Sequence, residues 1–398
     1  MSDFYAYKGL CLCPAGGRLP EGAMPVDAPF APLLFLVRRD PLTHSALVPL
    51  ADPAELDAPE DWRRLTAGPG GDAAPRCYAL NTAFPRALDL APELLAPKKT
   101  GLRLTLVGLG DVGGQLLTAL KLLGSEIAEI GIYDPNDALV ERYLLELNQV
   151  LGREEPRILR RAPDQLFDCD LFLFTASRGV PPVGAGGDVR MLQFEKNREM
   201  LRSYSGQARE TGFRGLFCQI SDPVDLLARS VFLQSNRNEA GELDFRGLLP
   251  EQIVGFGLGV MKARADFMAR RMGADCPQLR AYGPHGAGLV IANDPVEYDE
   301  TLSLELTRQT VGANMEVRAL GFKPYIAPAL SSACISILQL IRGEIFHGAI
   351  PLGGVYFGCR SRRVGGFAPC REPLHPALSA RMQGAWEALR EEEAKCLV

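Results

Sequence analysis

The chain of 398 residues has only four histidines, two tryptophans and no strong excess of charge of one sign. Its net charge of −5 argues against the basic surface that nucleic-acid binding requires. No apolar run approaches the roughly 18 residues of a membrane span. The first residues also lack a basic stretch followed by an apolar core. We therefore expect no nucleic-acid partner, no membrane partner and a cytoplasmic location.

The ten cysteines do not form a metal-binding pattern. Cys11 and Cys13 are one residue apart, but no further ligands follow at a matching spacing. Others, such as Cys218 in LFCQI, lie inside apolar runs. We expect small buried side chains in a reducing compartment and no metal site.

The most informative segment is Leu102–Asp134, which shows a strand pattern, a glycine turn, a helix pattern and a second strand. Gly108, Gly110 and Gly113 have the G-x-G-x-x-G spacing, and Asp134 follows Gly110 by 24 residues. Such glycines allow a tight turn, close approach of a pyrophosphate and helix packing on a strand. The segment predicts dinucleotide binding; the alternative is a glycine-rich turn in an ordinary α/β unit.

Asp134 also indicates which dinucleotide is bound. A carboxylate there accepts hydrogen bonds from both ribose hydroxyls and repels a 2′-phosphate. No basic residue follows until Arg142. The predicted cofactor is therefore NAD rather than NADP.

Three regions differ in composition. Residues 1–99 hold 14 of the 30 prolines and only short strand-like runs. Strands and helices alternate over 100–257, and helical character prevails over 258–398. We predict an α/β fold: a small β-containing N-terminal domain, a Rossmann-type doubly wound parallel sheet, and an α+β substrate domain. The N-terminal domain is either a packing or oligomerisation element or a regulatory module. The predicted strands there are Leu33–Val37, Ala46–Leu50 and Cys77–Leu80, and the main predicted helices are Met191–Arg209, Val260–Met272, Thr301–Leu320 and Ile326–Arg342.

From residue 102 to its end the chain resembles the lactate/malate dehydrogenase superfamily. The matching segments occur in the family's order: LVGLGDVGG, IYDPND, LFLFTASRG, DVRMLQFEKN, QISDPVDLL, IVGFGLGVMKARADF, AYGPHGAGLV and GFKPYIA. The resemblance implies hydride transfer between NAD and a small 2-hydroxy or 2-oxo acid, in a homo-oligomer, either dimer or tetramer. It places the cofactor at Gly108, Gly110, Asp111, Val112, Gly113, Asp134, Thr175 and Ala176.

The resemblance also assigns the catalytic roles. His285 matches the family's histidine, which exchanges a proton with the substrate oxygen. Arg264 matches the arginine that holds the substrate carboxylate, and Arg190, seven residues before Asn197, matches the arginine that polarises the carbonyl. Without the resemblance, His285 is a histidine in a turn, Arg264 is a surface ion-pair partner, and Arg190 is a solvated residue at the start of a helix.

Three positions depart from the family pattern. Met261 stands where the family has the aspartate that pairs with the histidine. Asp222 replaces an asparagine, and is either a compensating carboxylate near His285 or a capping residue at a turn. Lys323 replaces a small pocket residue, and would bind an anionic substrate, pair with Asp222 or turn into solvent.

The glycine- and proline-rich loop 177–189 is longer than the family's substrate loop and carries only Arg178, at its start. A second carboxylate on the substrate is therefore disfavoured, and a larger or less polar 2-oxo acid fits better. Two alternatives to a 2-hydroxyacid dehydrogenase stay open. One is a non-catalytic NAD(H)-binding sensor or complex subunit, and the other is a different carbonyl or imine reaction on the same fold.

Overall fold

The N-terminal region forms a six-stranded sheet, in the order β3 (Met24–Val26), β1 (Phe4–Tyr7), β2 (Leu10–Pro14), β4 (Leu33–Val37), β6 (Cys77–Asn81) and β5 (Leu47–Leu50). The structure, a computed structural model, describes residues 3–66, 75–97, 99–152, 155–178 and 189–396, with the backbone alone at 189–192 and 396. The strands predicted for this region, Leu33–Val37, Ala46–Leu50 and Cys77–Leu80, are present, and most of their apolar residues are buried. The elements are β1 Phe4–Tyr7, β2 Leu10–Pro14, β3 Met24–Val26, β4 Leu33–Val37, β5 Leu47–Leu50, β6 Cys77–Asn81 and α1 Ala87–Leu94, with 3-10 turns at Pro53–Asp57 and Trp62–Leu65.

The middle of the chain forms six parallel strands, in the order β9 (Arg157–Arg160), β8 (Ile127–Tyr133), β7 (Leu102–Val107), β10 (Leu171–Phe174), β11 (Leu216–Gln219) and β12 (Ile253–Gly255). Counted along the chain from β7, this is the 3-2-1-4-5-6 order of the dinucleotide-binding fold. Strands such as LFLF are buried throughout, as expected for parallel strands covered on both faces. The elements are β7 Leu102–Val107, α2 Asp111–Leu123, β8 Ile127–Tyr133, α3 Asp137–Leu147, β9 Arg157–Arg160, β10 Leu171–Phe174, α4 Val189–Glu210, β11 Leu216–Gln219, α5 Val224–Ser235 and β12 Ile253–Gly255.

The last third combines long helices with strands that extend the same sheet. β15 pairs antiparallel with β12, and β16 and β17 complete nine strands. The helix predicted over 326–342 begins with a π-helical segment, Pro328–Ile335. The other elements are α6 Leu258–Met272, β13 Arg280–Tyr282, β14 Val290–Ala292, α7 Glu300–Ala319, α8 Ser336–Arg342, β15 Phe346–Leu352, β16 Val355–Val364, β17 Gly366–Pro369 and α9 Pro376–Cys396.

The α+β region was predicted, but the positions of strands β15 to β17 were not. The signal was present: Gly353 and Gly354 both have positive φ angles, 67° and 92°, and join β15 to β16. Such a two-glycine connection is typical of a tight β-hairpin. The sheet is therefore continuous past residue 257, where we predicted a domain boundary, and the division into three domains stays a prediction.

The N-terminal sheet packs against the rest of the chain and shares its main core. Phe84 meets Phe232 of α5 edge-on, with ring centroids 6.3 Å apart. The Arg86 guanidinium donates to the carbonyl oxygens of Gly247 and Gly212, each at 2.9 Å. The N-terminal region thus contributes to the chain's own core. Among the described residues, no helix combines the length and apolarity needed to cross a membrane.

Candidate active site

The glycine turn between β7 and α2 is shaped by close contacts. Gly108 has φ +93°, and a Cβ there would lie 2.6 Å from the Cα of Ala176. A Cβ on Gly113 would collide with the carbonyl oxygen of Gly108 and lie 2.6 Å from Thr175 Oγ1. A Cβ on Gly110 would meet nothing within 4 Å. The first and third glycines therefore let the strands and helix close together, while the second faces open space at the helix N-terminus.

Asp134 lies directly after β8, next to this turn. Its Oδ2 accepts a hydrogen bond from the backbone N of Leu109 at 2.8 Å, and its Oδ1 accepts one from Asn136 at 2.9 Å. The acid is thus fixed beside the glycine turn by backbone groups. Its position is the one that the sequence spacing predicted for a ribose-binding carboxylate.

Lys323 lies beside the N-terminus of α2, next to the glycine turn. Its Nζ is 2.9 Å from Oδ2 of Asp111, the first residue of α2, and the lysine side chain is 79% exposed. The pairing with Asp222 that the sequence left open is not formed. The reason is tertiary: the π-helical segment that follows Lys323 packs on α2.

His285 occupies the loop between β13 and β14, where the structure joins it to two carboxylates. Its Nδ1 is 2.9 Å from Asp222 Oδ1, and its backbone N donates to Asp225 Oδ2 at 2.9 Å. The other ring nitrogen, Nε2, is buried and has no hydrogen-bond partner among the described residues. The ring lies against Gly257, where a Cβ would be 2.8 Å from the Cβ of His285. A carboxylate thus contacts the ring of His285 from Asp222, whereas the side chain at Met261 offers none.

Opposing effects act on the pKa of His285. Burial of the ring favours the neutral form and would lower the pKa. The charge and hydrogen bond of Asp222, aided by Asp225, outweigh burial, so the pKa of His285 lies above its ordinary value. An Nδ1–H donated to Asp222 leaves Nε2 as the atom that can gain or lose a proton.

Arg264 lies on α6, half-buried, near this pair. Its Nη1 lies 3.8 Å from the sulfur of Met261. Across the described ranges no carboxylate oxygen lies within 4.0 Å of its guanidinium nitrogens. Burial lowers the pKa of Arg264, and the charge of Asp222 opposes that effect. An arginine without a carboxylate partner is suited to receive one from a ligand.

Asn197 is a site residue whose position the sequence indicated only through its spacing from Arg190. It is fully buried on α4. Its Nδ2 donates to the backbone oxygen of Asp222 at 2.9 Å, and its Oδ1 accepts from the backbone N of Arg178 at 3.0 Å. It therefore holds the Asp222 turn against the end of β10. The side chain of Arg190 and residues 179–188 lie outside the described residues.

Two further residues were missed by sequence reasoning. Asp225, the last residue of the Asp-Pro-Val-Asp segment and the second residue of α5, entered only as part of the family resemblance, yet it fixes the backbone of His285. Gly257 was not singled out, although it makes room for the His285 side chain. The DPVD segment could have indicated Asp225; nothing local to Gly257 could have indicated its neighbour 28 residues away.

Similar proteins were found by sequence and by structure. No family model matches the chain. L-lactate dehydrogenase 1 of Enterococcus faecalis is 29% identical over 196 residues, covering 48% of this chain and 55% of that relative. An L-lactate dehydrogenase of Mycoplasma pneumoniae is 26% identical over 190 residues, covering 46% of this chain and 56% of the relative. The chain thus spans about half the length of the curated relatives it matches.

The solved structures with similar folds are lactate and malate dehydrogenases. The minor L-lactate dehydrogenase of Enterococcus mundtii has a TM-score of 0.62 at 19% identity, and the match covers 75% of this chain and 99% of that one. The malate dehydrogenase of Archaeoglobus fulgidus, solved in complex with NADH, has a TM-score of 0.60 at 16% identity, covering 75% of this chain and all of that one. The part of this chain that these structures do not cover is consistent in size with the additional N-terminal region.

The strand order, the glycine turn and the acid after β8 define a Rossmann-type α/β fold, extended by an α+β region that carries a histidine–carboxylate pair. Over about half of its length the chain is similar in sequence to L-lactate dehydrogenases, and its fold is that of the lactate and malate dehydrogenases.

Proposed function

We propose that this chain is an NAD(H)-dependent oxidoreductase acting on a 2-hydroxy or 2-oxo acid. The observation that carries the proposal is the His285–Asp222 pair, with Nδ1 and Oδ1 2.9 Å apart and Nε2 buried without a partner among the described residues. Arg264, which has no carboxylate partner among the described residues, lies close enough to influence the same histidine. A proton carrier and a carboxylate receptor side by side are what reduction of a 2-oxo acid requires.

The residues of the glycine turn fit a dinucleotide. The open space beyond Gly110 and the N-terminus of α2 suit a pyrophosphate. The carboxylate of Asp134 suits a ribose. Thr175 and Ala176 form the wall behind the turn. When bound, NAD(H) would supply or accept the hydride.

In the direction of reduction, His285 holds a proton at Nε2 and gives it to the substrate oxygen as that oxygen becomes a hydroxyl. Asp222 accepts the Nδ1–H bond throughout, which fixes the ring and stabilises its charged form before transfer. In the direction of oxidation, the neutral ring receives the proton. The carboxylate thus performs, from the end of β11, the function that the family assigns to a residue on the arginine's helix.

Arg264 would orient the substrate through two parallel hydrogen bonds to its carboxylate. We further propose that Arg190 polarises the substrate carbonyl. Arg178, the only cation of loop 177–189, pairs with Glu199 at 3.0 Å. That pairing supports a monocarboxylate with a larger or less polar side chain over a dicarboxylate. We assign Lys323, through Asp111, to the nucleotide side of the site.

The test is NADH oxidation, followed by nicotinamide absorbance, with 2-oxo acids from pyruvate and oxaloacetate to branched and aromatic ones. His285→Asn and Arg264→Leu should abolish turnover while NADH binding, measured separately by fluorescence, persists. Normal turnover in either variant would remove that residue from the mechanism. Tight NADH binding without turnover on any substrate would favour the non-catalytic alternative.

The non-catalytic alternative draws on two features, the missing aspartate at Met261 and the additional N-terminal region. Asp222 supplies a carboxylate to His285 from another element, so the change at Met261 no longer argues against proton transfer.

We also propose a homo-oligomer, because α7 exposes large apolar side chains: Leu304, Val311 and Met315 are 52%, 43% and 53% exposed. Sedimentation equilibrium of the full chain tests this, and a monomer at all concentrations would exclude it.

A further inference from the structure

A cavity of about 240 Å³ lies where the N-terminal sheet meets the segment after β17. It is formed by β5, the two 3-10 turns at Pro53–Asp57 and Trp62–Leu65, and Arg371. All of its lining except Arg371 belongs to residues 1–99, the part of the chain outside the dehydrogenase resemblance. The cavity is therefore separate from the candidate active site in its residues.

The polar lining of this cavity contains more arginines than carboxylates. Three of the four arginines have a carboxylate partner. The pairs are Arg39 Nη1 with Glu60 Oε1 at 2.8 Å, Arg371 Nη2 with Glu55 Oε2 at 3.0 Å, and Arg63 Nε with Asp61 Oδ1 at 2.9 Å. The two lining carboxylates are also held by backbone groups: Glu60 accepts from Ser45 N and Glu55 from Ala51 N.

Arg64 is the fourth arginine and the surplus charge. Its Nη2 donates to the backbone oxygen of Pro49 at 2.9 Å. In the described part of the chain no carboxylate oxygen lies within 4.0 Å of its guanidinium. Burial lowers its pKa to about 10, so the group stays charged at neutral pH. The charges of Glu60 and Glu55 act on Arg64 as well. Because each of these carboxylates already binds another arginine, the lining keeps one cation more than its carboxylate pairs use, and this excess favours an anion there.

The rest of the lining is apolar. Val48, Leu50 and Leu56 line the same cavity. We propose that the cavity binds a small organic anion, with its carboxylate or phosphate group on Arg64 and its apolar body against these side chains. The volume is below the 300–1,000 Å³ of pockets for drug-sized ligands, which limits the ligand to a small one. Because Arg371 follows β17, the ligand would bridge the N-terminal sheet and the C-terminal region.

The test is isothermal titration calorimetry of the full chain with two probes, benzoate and inorganic phosphate. We expect one-to-one binding of at least one probe. Binding of benzoate alone would indicate that the ligand is a carboxylate with an apolar body. Binding of phosphate alone would indicate that the ligand carries a phosphate group. Arg64→Gln should weaken binding about ten-fold or more, as loss of a charge-assisted hydrogen bond implies. Arg38→Gln, an exposed change of the same charge in the same region, should leave it unchanged.

Two further variants keep the result unambiguous. Arg264→Gln removes the candidate active-site receptor, so binding that persists in it belongs to the cavity and does not depend on the proposed function. Ala58→Glu adds a negative charge at an exposed position of the lining and should also weaken binding. Circular dichroism checks that each variant folds. Native affinity in both Arg64→Gln and Ala58→Glu, or no binding of either probe up to about 10 mM, would overturn the proposal.

Discussion

Replacing Asp222 by asparagine isolates the carboxylate that serves His285. The variant keeps the shape of the side chain and removes its charge. The Asp222 backbone should stay in place, because Asn197 Nδ2 holds its carbonyl oxygen at 2.9 Å. The expected change is thus in the state of His285 rather than in the fold.

The magnitude follows from the contact that is lost. The Nδ1–Oδ1 bond of 2.9 Å is a charge-assisted hydrogen bond, and bonds to charged groups contribute about 1.5–3 kcal/mol. If that energy stabilises the protonated ring during reduction, kcat/KM should fall by about 10- to 150-fold. The pKa of His285 should fall as well, because Asp222 is the main group that raises it against the effect of burial.

The assay is the pH dependence of kcat/KM for NADH oxidation with the best 2-oxo acid. Reduction needs the protonated ring, so activity is lost as pH rises through the pKa of His285, and the loss in Asp222→Asn should begin at lower pH. Glu316→Gln is the matched control, an equal charge change in the exposed pair with Arg271. An unchanged profile and unchanged kcat/KM in Asp222→Asn would refute the assignment of His285 as the proton donor.

Three further outcomes follow from the same geometry. Met261→Asp places a carboxylate beside Arg264, whose Nη1 is 3.8 Å from the sulfur of Met261. We expect KM for the 2-oxo acid to rise about ten-fold, because the substrate carboxylate must compete with a new ion pair. An unchanged KM would contradict this. Gly257→Ala puts a Cβ 2.8 Å from that of His285; chemical denaturation should show a loss of about 1–3 kcal/mol, together with a lower kcat. Burial raises the pKa of Glu251 from 4.5 to about 7, so the folded state retains a proton that the unfolded state loses. The free energy of unfolding should therefore fall by about 3 kcal/mol between pH 4.5 and 7. In urea titrations Glu251→Gln should show a smaller fall over this range. The same pH dependence in both proteins would show that Glu251 is not its source.

Local patterns in the sequence were sufficient to locate the strand, glycine turn, helix and acid of Leu102–Asp134. The strand of β7, the glycine spacing, the helix of α2 and the acid after β8 all lie within 33 consecutive residues, and the structure places them as predicted. Periodicity and turn chemistry act over such short distances, so a single chain segment carries enough information. The same holds for β4, β5 and β6, whose apolar runs are compact and bounded by turn residues.

The catalytic half depended on packing between distant segments. The sequence left Asp222 as either a partner of His285 or a turn cap, because 63 residues separate the two and no local rule relates them. Lys323 finds Asp111 across 212 residues, a partner that the sequence did not suggest. The sequence by itself determined the fold class and the nucleotide turn through short-range periodicity and spacing. Only the tertiary structure decided which carboxylate contacts the histidine and which one pairs with Lys323, because such contacts depend on how loops and helices pack.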